Sequence, residues 1–116
     1  LTILLPESGR FGLQILSQGV WIYAPAPKDC FVVKIGDLME HWTSGRWASK
    51  LHRVVARLNQ PSRKSLAFFH QPNRKAKITP ISGKNGKSVV SGPYLMAKFK
   101  STNSTGVITQ EYDTDW

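Results

Sequence analysis

The sequence predicts a mostly β fold, antiparallel, built as a sandwich or barrel cut open at its N-terminus. Three observations predict it. Five or six short apolar runs, rich in valine and isoleucine, recur along the 116 residues. Proline, glycine, serine and asparagine punctuate the gaps between them, which is turn chemistry. Only two stretches carry helix signals, and both are short.

The chain opens at Leu1 inside an apolar run, "LTILLP", which is expected to be a strand continuing from an earlier segment. "GLQILSQGVWIYAPAP" predicts a hairpin: Leu13 and Ile15 alternate with Gln14, Ser17-Gln18-Gly19 turns, and Val20 to Ala24 returns. Pro25 and Pro27 end that strand, because proline donates nothing to a ladder. "CFVVKI" predicts a buried strand with Cys30 as a buried free thiol. "GDLMEHWTSG" predicts a short helix with Asp37 and Glu40 at capping-box spacing and Gly45 near its end. "KLHRVVARL" and "SLAFFHQ" predict two strands joined by a turn at "NQPSR", the second closed by Pro72. "SGKNGKS" is flexible by composition. "SGPYLMAKFKS" predicts a helix with Ser91 near the cap and Pro93 in the first turn, and the last sixteen residues form a polar tail.

Composition excludes several classes. No apolar stretch approaches the roughly 18 residues of a membrane span, and Leu1 to Pro6 lacks the basic flank and cleavage site of a signal peptide. One cysteine permits no internal disulfide and fits a reducing, cytoplasmic setting. Glycine-rich phosphate loops, nucleophile elbows, paired carboxylates and CxxC pairs are all missing from the sequence. The charge of +9 is uneven: residues 51–100 carry eleven basic and no acidic side chains. Without a recognised nucleic-acid motif, that basicity reads as a solvated face or a surface for an anionic partner, and nucleic acid is not the expected partner.

The chemistry concentrates in "HRVVARLNQPSRKS". On a strand, His52 and Val54 point one way, Arg53 and Val55 the other. A neutral imidazole there is either a core histidine with one partner or a metal ligand. Arg63 and Ser65, two apart on the next strand, share a face roughly 6–7 Å apart. A guanidinium fork with a hydroxyl beside it makes a carboxylate receptor. His41, Trp21, Trp42 and Trp47 read as structural, His70 as structural or as lining the pocket, and Phe31, Val33 and Phe69 as ordinary core or as walls of a pocket.

The ordered set G-L-Q-I, P-A-P, F-V-V-K-I-G-D-L, W-T-S-G-R-W, L-H-R-V, R-K-S-L-A-F-F and S-G-P-Y-L-M-A-K resembles the C-terminal half of the iron(II)/2-oxoglutarate-dependent oxygenases of the isopenicillin N synthase-like group. The specific part is H-x(10)-R-x-S on successive strands; G-D-L-x-x-x-W-T-x-G-R supports it. The resemblance covers residues 1–100 and leaves 101–116 as a tail. It implies a distorted double-stranded β-helix, or jelly roll, incomplete at the N-terminus and with short helices. It implies that His52 is the distal histidine of a 2-His-1-carboxylate iron site, and that Arg63 and Ser65 bind the far carboxylate of 2-oxoglutarate. Cofactors would be Fe(II), the co-substrate 2-oxoglutarate and O2; the reaction would be hydroxylation, desaturation or ring oxidation of a small-molecule substrate. The family's H-x-D motif would precede "LTILL", so this sequence holds one of three iron ligands. The expectation is therefore a chain that needs an N-terminal part of the same enzyme and is inactive alone. The alternative is a non-catalytic basic β-domain that binds an anionic partner.

Overall fold

The computed structural model describes residues 1–9, 12–55, 59, 61–81 and 86–103. Eight strands and two helices follow one another: β1 (Thr2–Pro6), β2 (Leu13–Ser17), β3 (Val20–Tyr23), β4 (Val32–Lys34), α1 (Asp37–Trp42), β5 (His52–Val54), β6 (Ser65–Phe69), β7 (Lys77–Ile78), β8 (Val89–Val90) and α2 (Ser91–Asn103). The predicted hairpin forms as β2 and β3. Gln18 and Gly19 bridge it at φ 48° and 78°, between the paired residues Ser17 and Val20. Positive φ at both loop residues gives the strands the twist they need.

The strands build two three-stranded antiparallel sheets, in the orders β4-β1-β6 and β3-β2-β5, and a small β7-β8 ladder. Neighbours in space are distant in sequence: Pro6 pairs with Ser65, and Ile15 with His52. Register then assigns the faces. In the first sheet Thr2, Leu4, Val32, Lys34, Ser65, Ala67 and Phe69 share one face. In the second, Leu13, Ile15, Ile22, His52 and Val54 share one. These faces look at each other, because Lys34 reaches His52. Leu4 and Leu13 lie on them and are the most buried apolar side chains, 6% and 7% exposed. The strands bearing His52 and Ser65 are outer strands of their sheets among the described residues.

Several local expectations change. Asp37 does not cap α1: Gly36 is the N-cap, with no side-chain cap bond. Glu40 turns instead to the loop, where its Oε2 accepts from the Ser49 N–H at 3.1 Å. The helix ends in a Schellman arrangement. Ser44, at φ 54°, donates to the His41 carbonyl, and Gly45 donates to that of Glu40 at 2.8 Å. Cys30 is exposed rather than buried; Asp29 at φ 61° turns the chain ahead of it. Val33 and Phe31 are 57% and 62% exposed and so are not core. The β7-β8 ladder arises where the sequence suggested only a basic loop. The helix α2 continues to Asn103, and "SGKNGKS" and the tail lie largely outside the described residues. No helix among the described residues is long and apolar enough to cross a membrane.

Candidate active site

His52 begins β5 and projects toward the facing sheet, on the open, solvent-exposed side of the gap. Its Nδ1 donates to the Lys50 carbonyl, a long bond of 3.4 Å. Its Nε2 accepts from the Lys34 ammonium, 2.9 Å away on that facing sheet. The two contacts select one neutral tautomer, with the proton on Nδ1 and the lone pair on Nε2 aimed inward. That is the form in which imidazole ligates a metal through Nε2. A cation already stands at that lone pair, in the shape of Lys34, so the nitrogen fits a metal ion. Among the described residues no group of three His, Cys, Asp or Glu side chains is gathered to hold one. His52 contributes one position, not a complete site.

Lys34 was not singled out by the sequence. The signal for it was present: a charge inside "FVVKI", in step with inward-facing Val32. Burial holds its ammonium below the ordinary lysine range. Its inward face is set by pairing with Thr2, which also pairs with Phe69.

Arg63 lines an inter-sheet cavity of about 120 Å³ together with Pro6, Leu13, Tyr23 and Val32. Gly12 gives it room. At φ 148° Gly12 bends away from strand geometry, and a Cβ there would stand 3.1 Å from the Val55 carbonyl and 3.7 Å from the Arg63 Nε. The only ion pair among the described residues, Lys98 with Asp37, is elsewhere; Glu7 also lines this cavity, but its Oε2 accepts from the Lys64 N–H and it makes no ion pair with Arg63. Ser65 opens β6 two residues on, on the inner face opposite Pro6, and is exposed. It does not line the cavity. A guanidinium in a small concave site can hold a carboxylate in two parallel bonds.

His41 Nε2 meets the Lys87 carbonyl at 3.0 Å, and its ring lies against Tyr94. His70 carries its ring beside Phe68 and joins β6 to Leu1 through the backbone. Trp21 lies on the outer face under the Arg53 guanidinium at 4.1 Å, and Arg53 Nε donates to Gln14 Oε1. A larger cavity of about 300 Å³ is lined by Thr2, Phe69, His70, Trp42, Ile78 and Leu95, but not by His52 or Arg63, so His70 and Phe69 wall a pocket away from both.

Known proteins share this sequence and fold. The model of the 2OG-Fe(II) oxygenase superfamily matches residues 1–72. The 2-oxoglutarate-dependent dioxygenase tropC of Talaromyces stipitatus is 35% identical over 104 residues, 88% of this chain and 31% of the relative. Thebaine 6-O-demethylase of Papaver somniferum is 38% identical over 114 residues, 98% of this chain and 29% of the relative. The chain thus spans less than a third of the length of these relatives. The crystal structure of a full-length Neurospora crassa protein in complex with alpha-KG and thymine superposes with a TM-score of 0.74 at 33% identity, covering 87% of this chain and 34% of that one. The two sheets are similar to the jelly roll of such oxygenases, as expected, without forming a closed barrel.

Proposed function

Since the chain belongs to the 2OG-Fe(II) oxygenase superfamily, we propose that it supplies the C-terminal part of an iron(II)- and 2-oxoglutarate-dependent dioxygenase that oxidises a small molecule. Residues 1–100 make up that part and 101–116 a tail. His52 offers its Nε2 lone pair to the iron, with Lys50 fixing the tautomer from behind. Arg63 holds the far carboxylate of 2-oxoglutarate through its fork, and Ser65 adds one hydroxyl bond. Iron(II) with O2, when bound, supplies the oxidising power that turns 2-oxoglutarate into succinate and CO2 and oxidises the substrate. His52 lies on the inner face of one sheet, and Arg63 lines a cavity between the two sheets.

One observation carries the reading. The two sheets carry an imidazole whose lone pair is aimed across the gap toward Lys34, and a guanidinium that lines a separate inter-sheet cavity with no ion pair among the described residues. With one ligand of three, the 116-residue chain by itself should bind iron weakly and turn nothing over. A reducing, cytoplasmic setting belongs to the same proposal, since Cys30 is exposed and unpaired. The test is succinate release by the full-length protein given Fe(II), 2-oxoglutarate and O2. Release that vanishes in His52→Ala supports the proposal. Undiminished release from His52→Ala removes His52 from the iron site.

A further inference from the structure

We infer that Lys34 is a specificity-determining residue whose ammonium, beside the ligating nitrogen of His52, receives the carboxylate of an anionic small-molecule substrate; this rests on the oxygenase reading above. Lys34 is half-buried on the inner face of the first sheet. No carboxylate among the described residues pairs with it; its partner is the neutral His52 imidazole at 2.9 Å. A half-buried ammonium held only by an imidazole is poorly compensated.

Metal binding makes the imbalance larger. An Nε2 lone pair given to a metal is no longer available to Lys34, which must turn aside while staying close. Two positive groups then share one small space. The co-substrate does not relieve this. It is a dianion whose far carboxylate goes to Arg63 and whose near end goes to the metal. Among the described residues Lys34 is then the cation left without an anion. Its flexible four-carbon stem lets it follow a group brought into the open side of the site. A carboxylate on the substrate supplies the missing charge at the point where the substrate must lie to be oxidised. A neutral substrate leaves the ammonium stranded.

The test uses the full-length protein loaded with Zn(II), a redox-inert substitute for iron, and 2-oxoglutarate. Calorimetry then compares matched acids and amides: benzoate with benzamide, phenylacetate with phenylacetamide, octanoate with octanamide. The expected result is that at least one acid binds about tenfold or more tighter than its amide, the effect of one charge-assisted bond. Lys34→Met should erase that preference and Lys34→Arg should keep part of it, with 2-oxoglutarate affinity changed less than about threefold in both. Acids that bind no better than amides, no binding by any acid, or a preference that survives Lys34→Met overturns the inference. So does a tenfold loss of 2-oxoglutarate affinity in Lys34→Met, which would give Lys34 to the co-substrate. Failure of wild-type protein to bind 2-oxoglutarate at all is a different outcome: it defeats the oxygenase reading first and this inference with it.

Discussion

Lys34 Nζ and His52 Nε2 meet 2.9 Å apart across the gap between two sheets, joining β4 of one to β5 of the other. A metal at His52 has to displace that ammonium. Lys34→Met should therefore tighten binding of Mn(II) to the full-length protein by about tenfold or more in the absence of substrate, by removing a competing like charge. Titration followed by the electron paramagnetic resonance of free Mn(II) measures it. Unchanged or weaker binding would mean that the metal seat and the Lys34 seat are different places.

The hairpin that places β2 beside β5 depends on its two turn residues. Gly19 at φ 78° takes a conformation that costs an alanine about 1–2 kcal/mol. Gly19→Ala should destabilise the protein by about that much. Gln18, at φ 48°, is a poor left-handed residue. Gln18→Asn should stabilise by a few tenths of a kcal/mol, because Asn-Gly is the favoured pair for this turn. Urea unfolding checks both, and opposite signs are the expected result.

Much of this architecture was legible in the sequence because strand alternation and turn residues are local signals. The hairpin at Gln18-Gly19 carries both, and the strand at Ser65 to Phe69 is an apolar run closed by Pro72. His52, Arg63 and Ser65 stand out in the sequence as a spaced set, and their roles belong to the proposal above. The contact between Lys34 and His52 was not legible, since it depends on the register of two strands in two different sheets. The β7-β8 ladder was not legible because paired runs of two residues have no periodicity. The capping box at Asp37 and Glu40 failed for a competitive reason: the Ser49 N–H offered Glu40 a partner that spacing alone does not reveal. Cys30 was misread from its apolar neighbours, whereas the backbone turn at Asp29 decides its exposure.

Ser91 starts α2 at 1% exposure, yet its Oγ has no hydrogen-bond partner among the described residues. The helix is tied down there by backbone bonds instead, from Ser91 N to the Ala76 carbonyl and from Gly92 N to that of Arg74, both 2.9 Å. An unsatisfied buried hydroxyl costs about 1–3 kcal/mol. Ser91→Ala should consequently leave stability unchanged or raise it by up to about 1 kcal/mol, the reverse of the usual loss at a helix start. A drop of about 1 kcal/mol or more in thermal or urea unfolding would show that the hydroxyl has a partner after all.

Arg63 gives the most direct test of the central claim, that this chain holds 2-oxoglutarate beside an iron-bound His52. The measurement is a 2-oxoglutarate titration of the full-length protein carrying Arg63→Ala, Arg63→Lys, Ser65→Ala or Lys64→Ala. Charge-assisted bonds of this kind are worth about 1.5–3 kcal/mol each, so Arg63→Ala should raise the KM for 2-oxoglutarate about tenfold to a hundredfold. Ser65→Ala should do less, and Arg63→Lys should recover only part of the loss, because a point charge lacks the fork. Lys64 is the control: it is exposed, it does not line the cavity that Arg63 lines, and its bond to Glu7 Oε2 uses the backbone N–H. A large KM increase confined to the Arg63 variants and a smaller one for Ser65→Ala is the predicted result; equal KM values for Arg63→Ala and Lys64→Ala would contradict it.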